Sequence, residues 1–230
     1  MPSVANRLIE GLPRRARNAL LAMCEPVQLS AGEVLYHRDL PARHIYFPTG
    51  GTLSLWSSPV DLPVLEVAMV GNEGMLGAHI ALGVGTSATY AEVRGAGSAW
   101  RMAAPRFKVE LGRSAPLERS IRRYLHVTIL QYVSMARCSK FHSLDQRLAR
   151  WLLMAHDRAA EDTISVTQEL MASMLGVRRV GITMAASALQ RRAIIKYVRG
   201  EVRILDRTAL EAAACTCYAT DRRAYSTFMS

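Results

Sequence analysis

Two adjacent arginines, Arg178 and Arg179, open the stretch "RRVGITMAASALQRR", whose apolar residues recur at helical spacing. A guanidinium is suited to bidentate hydrogen bonding with a phosphate, or with the O6 and N7 edge of guanine. At a helix N-terminus positive charge opposes the helix dipole, at about 0.3–1 kcal/mol per exposed group. The placement therefore predicts contacts to an anionic partner rather than support for the helix. Thr183, four residues after Arg179, and Ser187, four after that, continue the outward face and are small enough to bring the backbone close to base edges. The Thr183 methyl group also suits a thymine methyl.

The preceding residues supply the frame for these arginines. Thr167 can cap a helix with Leu170, Met171, Met174 and Leu175 inward, and Gly176 ends it. A second helix follows, with Val180, Ile182, Ala185, Ala186 and Leu189 at inner positions. Ala172 lets the two helices approach, Gly176 permits a sharp turn, and Ile182 locks the second helix against the first, which is helix-turn-helix spacing. The second helix of such a motif enters the DNA major groove by its N-terminal end. Thr167 and Gln168, at the start of the first helix, belong to the same expected DNA-contacting surface. Downstream, "IIKYVRGEVRIL" predicts a hairpin with Gly200 in its turn. Its Lys196, Arg199 and Arg203 are expected to act as a wing on the phosphate backbone, positioning without specifying.

Other chemistries find less support. Four cysteines, Cys24, Cys138, Cys215 and Cys217, are too few and scattered for a disulfide scaffold in 230 residues. Cys215 and Cys217 fall in a segment with helical periodicity, where positions two apart point to different faces, so a metal or redox role would need distant partners. Small buried apolar side chains are the simpler reading, and no metal site is assigned. No Gly-rich phosphate loop, catalytic carboxylate pair or metal-ligand cluster marks an enzyme. Lys and Arg total 29 against 19 Asp and Glu, a net charge of +10, which favours an anionic partner. No apolar run approaches the ~18 residues of a membrane span, and the first residues lack the apolar core of a secretory signal. A cytoplasmic protein without membrane contact is expected.

Short helices are expected between residues 5 and 23. From Val27 to about Met102, short apolar runs bounded by Gly, Pro, Ser and Asp, such as "TLSLWSS" and "VLEVAMVGNEG", predict an all-β sandwich or roll. In "TLSLW" the alternation predicts one buried face. "PLERSIRRYLHVTILQYVSMARCSKF" then forms a long helix with a stripe of Leu117, Ile121, Tyr124, Thr128, Gln131 and Met135, widened by Leu125, Ile129 and Tyr132. Its length exceeds what a small domain needs, which predicts a homodimer interface at Leu117, Ile121, Tyr124, Leu125, Thr128, Tyr132 and Met135. A capping box at Ser143 and Gln146 opens the next helix. The expected division is a roll over 1–113, a dimerisation helix over 114–140, and a winged helix-turn-helix domain over 141–230 that ends in an Ala-rich helix from about Thr208.

A roll, a long apolar helix and a helix-turn-helix with a hairpin, in this order, resemble the Crp/Fnr family of bacterial transcription regulators. The stretches "VGNEGMLG", Ser143 to Leu153 and Thr167 to Leu189 carry the resemblance. It implies an α+β chain with an N-terminal double-stranded β-helix, jelly-roll-like and of the cyclic-nucleotide-binding fold. It also implies a homodimer on palindromic double-stranded DNA, effector control, and contact with RNA polymerase if the chain is an activator.

The family's recognition helix usually opens Ser-Arg-Glu. Here Arg178 stands at the Ser position, Arg179 matches the Arg, Val180 replaces the Glu, and Met184 takes a later Arg position. The sensor residues implied are Glu73, Gly74 and Gly77, the Ser87, Ala88 and Thr89 segment, and His126 and Thr128 on the long helix. Ser87 stands where cyclic-AMP binders carry an Arg on the phosphate, so cyclic AMP is not the expected effector. An iron–sulfur cluster needs four thiolates, usually with several near the N-terminus, where only Cys24 lies, and no histidine is singled out as a haem ligand. No cofactor is expected, and the effector is unassigned. The competing reading is a cyclic-nucleotide or small-ligand module acting on a protein partner.

Overall fold

A computed structural model describes residues 6–58, 64–159 and 163–229. Asn6 caps the first helix, α1 (Arg7–Glu10), by accepting from the Ile9 N–H. Its buried amide also donates to the Pro48 and Gly74 carbonyls at 2.8 Å each. That one side chain ties α1 to the roll, and α2 (Arg14–Leu21) follows.

The roll comprises two antiparallel sheets. One has the order β1-β7-β3, from β1 (Glu25–Leu29), β7 (Gly97–Ala103) and β3 (His44–Pro48). The other has the order β2-β6-β4-β5, from β2 (Val34–Tyr36), β6 (Tyr90–Gly95), β4 (Thr52–Ser57) and β5 (Leu65–Val70). Phe47, Leu53, Leu76, Ile80 and Phe107 fill the space between them. The expected one-sided burial of "TLSLW" does not hold, because Thr52, Leu53 and Ser54 are all buried. Leu53 enters the roll core, while Ser54 meets Glu66 of the neighbouring β5 and Met174 of the C-terminal part, so both faces of β4 are covered.

A short helix, α3 (Ala104–Arg113), leads to α4 (Ala115–Phe141), capped by Ser114. At 1.5 Å per residue, its 27 residues span about 40 Å. Three residues expected at a dimer interface lie elsewhere: Leu117, Ile121 and Tyr124 are buried in the roll's own core. The helix has two apolar sides, and the roll takes this one. Of the others, Leu125 packs partly on that core, Met135 is half-buried, and Thr128 donates to the Tyr124 carbonyl at 2.9 Å. Tyr132 is exposed, together with Ile129 and Val133.

After α4, His142 is extended and Ser143 opens α5 (Leu144–His156) with the expected capping box. Then come β8 (Thr163–Ser165), α6 (Gln168–Leu175), α7 (Arg179–Arg191), β9 (Ile195–Val198), β10 (Glu201–Ile204), α8 (Arg207–Ala213) and α9 (Cys217–Met229). Strands β8, β10 and β9 form a small antiparallel sheet. A second core gathers Leu148, Leu152, Met171, Ile182, Leu189 and Val202, with Met69 reaching in from β5. The expected single terminal helix is two, broken at Ala214–Thr216, where Ala214 is extended. Helix α9 returns along α4, with Phe228 edge-on to His126 at 4.6 Å between ring centroids. Among the described residues no helix is long and apolar enough to cross a membrane.

Candidate nucleic-acid interface

The turn between α6 and α7 is built by local chemistry. Thr167 accepts from the Leu170 N–H at 3.1 Å and starts α6. Gly176 ends it in the left-handed conformation (φ 62°), which costs an L side chain roughly 1–2 kcal/mol. The Val177 N–H then reaches back to the Ala172 carbonyl at 3.0 Å. Gly181 faces α5: a Cβ there would lie 2.8 Å from Leu144 Cδ2, so a larger residue requires that leucine side chain to shift.

Arg178 is the N-cap of α7, in extended conformation with no side-chain capping bond, and Arg179 is its first residue. Both are exposed. The first turn of α7 contains no acidic residue. Glu169 on α6 lies 3.9 Å from Arg179, but both side chains are about 70% exposed, so water screens the pair. The Thr183 hydroxyl lies 2.7 Å from Gln168 Oε1 and 3.2 Å from the Arg179 carbonyl, sharing its one proton between these acceptors and linking the two helix starts. Ser187 is half-buried one turn further along.

The hairpin turns at Arg199 and Gly200, both with positive φ (50° and 84°), as a two-residue primed turn requires. Arg203 and Lys196 are cross-strand partners and both are exposed. Thr167, Gln168, Glu169, Arg179, Tyr197 and Arg199 line one open groove between the helix starts and the hairpin. Four of the nine residues singled out from the sequence, Thr167, Gln168, Arg179 and Arg199, thus share a single concave surface.

One inward assignment on α7 fails. Val180 is 64% exposed and shares the outward face with Met184, 69% exposed and four residues on. The inner stripe is Ile182, Ala185, Ala186 and Leu189. Two large apolar side chains standing out beside Arg179 add methyl groups to a polar face, a combination that suits the edge of a thymine.

The residues implied as sensors are dispersed and already engaged. Glu73 accepts from Arg158 at 2.7 and 2.9 Å, and its carbonyl accepts from the Tyr225 hydroxyl at 2.7 Å. Gly74 lies against the ring of Tyr124, and Gly77 (φ 96°) against Tyr36 and Ile45. Ser87 is buried and donates to the Thr89 carbonyl within its own turn at 2.7 Å, and Ala88 is exposed. His126 and Thr128 sit on α4, where His126 meets α9.

Sequence reasoning missed the contact between the two cores. Glu66, fully buried on β5, receives hydrogen bonds from the Ser54 hydroxyl and, at 2.7 Å, from Trp151 Nε1 on α5. Burial raises its carboxyl to about 7, despite those donors. A lone Glu in "VLEVAMV" at an otherwise apolar strand position was the available signal.

Residues 146–213 match the model of the Crp-like helix-turn-helix domain. Comparison with curated proteins yields no significant match. Among solved structures, FixK2 from Bradyrhizobium japonicum is similar, with a TM-score of 0.71 at 15% identity, over 84% of this chain and 98% of that one. A Crp/Fnr-family transcriptional regulator from Eubacterium rectale gives 0.69 at 18% identity, over 90% and 96%. The c-di-GMP-responsive regulator CLP of Xanthomonas campestris gives 0.66 at 17% identity, over 84% and 99%. The resemblance to Crp/Fnr regulators is thus borne out in the helix-turn-helix domain and in the fold of most of the chain.

Proposed function

We propose that this chain is a homodimeric, sequence-specific DNA-binding transcription regulator of the Crp/Fnr type, without catalytic activity, acting on a palindromic operator. The observation that carries the reading is the start of α7. Two exposed arginines without an acidic residue in the first turn open a helix whose outward face also presents Thr183, Val180 and Met184. Arg179 reads a base edge, while Arg178, Lys196, Arg199 and Arg203 meet phosphates and fix the register. Pairing through the exposed part of α4 gives the dimer, with half-sites about one helical turn apart, ~34–36 Å. Cyclic AMP is not the effector: Glu73 is held by Arg158, and Ser87 brings no charge to a phosphate. Selection of bound duplexes from a random pool tests the proposal. A palindromic motif is expected, and a pool with no enriched motif, or an asymmetric one, contradicts it.

A further inference from the structure

Beyond the two aliphatic cores lies a third buried cluster made of thiols alone: Cys138, Cys215 and Cys217, each no more than 4% exposed. His142 joins them. The three Sγ atoms and one imidazole nitrogen all lie within 4.8 Å of one another, with 3.5 Å between Cys138 and Cys215 and 3.7 Å between Cys217 Sγ and His142 Nδ1. A tetrahedral Zn²⁺ with Zn–S of about 2.3 Å and Zn–N of about 2.0–2.1 Å needs ligand atoms roughly 3.5–3.8 Å apart. Both separations fall in that range. We propose that Cys138, His142, Cys215 and Cys217 form a binding site for a borderline-soft divalent ion, Zn²⁺ by preference, at the junction of the long helix and the DNA-binding part of the chain.

The backbone explains why these four meet. Cys138 and His142 are four residues apart at the end of α4 and therefore share a face. Cys215 lies in the break between α8 and α9, where the chain is not helical, so its sulfur and that of Cys217 reach the same cluster. The expectation that these two diverge fails at that break, and the distant partners they needed are on α4.

Electrostatics suits an anionic centre. As the ion enters, the three thiols each release a proton. Three thiolates and a neutral imidazole on a divalent cation leave one net negative charge. Arg147 and Arg150 line the same cavity as Cys138, and Arg150, itself buried, pairs with Asp221 of α9 at 2.8 Å. A four-ligand set without an open position marks a structural or regulatory site rather than a catalytic one. Its location supplies a consequence: His142 is the extended residue at which α4 turns into α5, so a bound ion fixes that turn to the start of α9.

The test uses the full-length chain, purified reduced, stripped with a chelator and titrated with Co²⁺ and then Zn²⁺, without DNA. The expected result is one Co²⁺ per chain, with the intense visible bands of tetrahedral thiolate-rich cobalt, bleached by Zn²⁺. Cys217→Ser and the milder His142→Ala, which spares the buried thiols, should each weaken binding by more than about tenfold, with Cys24→Ser unchanged. Absence of a tetrahedral spectrum in the wild-type chain would overturn the site, as would equal loss in Cys24→Ser. So would a Cys138–Cys215 disulfide, found by alkylation and mass spectrometry, as the form isolated without added oxidant. Because the readout involves no DNA, failure here is separable from failure of the DNA-binding proposal.

Discussion

Arg178 occupies the N-cap of α7, a position where Ser, Thr, Asp or Asn would accept a hydrogen bond from an unsatisfied backbone N–H. An arginine has no acceptor and adds positive charge at the positive end of the dipole. The backbone there, φ −74° and ψ 143°, already suits a capping residue. Arg178→Ser should therefore stabilise the folded chain by about 0.5–1 kcal/mol while weakening DNA binding, read by urea unfolding and by fluorescence anisotropy on a selected duplex. Stability and affinity that fall together would show instead that Arg178 supports the fold. Residue-scale signals of this kind were legible in the sequence: Thr167, Gly176, Gly200 and the Ser143–Gln146 capping box each act through neighbours within a few positions. Val180 was misplaced because an apolar residue near a helix start fits an inward stripe about as well as an outward one.

At the scale of elements, α4 decides how much surface is left for a partner. The roll covers Leu117, Ile121 and Tyr124, and α9 covers His126, leaving Ile129, Tyr132 and Val133 as an outward patch, 40–58% exposed. These three lie at helical spacing on one face, as a two-fold helix pair requires. The wild-type chain should sediment at about twice 25.4 kDa. Ile129→Glu combined with Val133→Glu should give folded single chains whose urea midpoint, unlike that of the wild type, does not depend on protein concentration. A wild-type monomer at micromolar concentration contradicts the pairing. Periodicity gave the existence and length of α4 but not which stripe faces the roll, because both sides of the helix are apolar. The thiol cluster was hidden for a related reason. Cys138 and Cys215 are 77 positions apart, and only the break between α8 and α9 brings their sulfurs together.

Over the whole molecule, the two cores are joined by contacts that include titratable groups. Arg158 near the end of α5 pairs with Glu73 of the roll, and Trp151 and Ser54 both donate to the buried Glu66. Burial raises Glu66 from 4.5 to about 7, so the folded chain holds that proton more tightly than the unfolded one. The associated stability is fully present below pH 4.5 and is lost as pH rises through about 7, on the order of 3 kcal/mol in all. Chemical denaturation between pH 5 and 8 should show this decline, flattened in Glu66→Gln. A Glu66→Gln profile as steep as the wild type would assign the decline to other groups. Since α6 packs on β5 beside Glu66, the same titration acts on the contact that holds the helix-turn-helix against the roll.

Base reading by Arg179 is tested most directly by the DNA selection performed in parallel with the wild-type chain and with Arg179→Ala. Arg179 sits at the exposed start of α7, and removing a guanidinium that reads a base edge should cost ~1–3 kcal/mol at its own base pair alone. A palindromic wild-type motif is expected and, for Arg179→Ala, the same motif relaxed at one position in each half-site. An unchanged motif with uniformly weaker binding would contradict it, placing Arg179 on the phosphate backbone and base reading elsewhere.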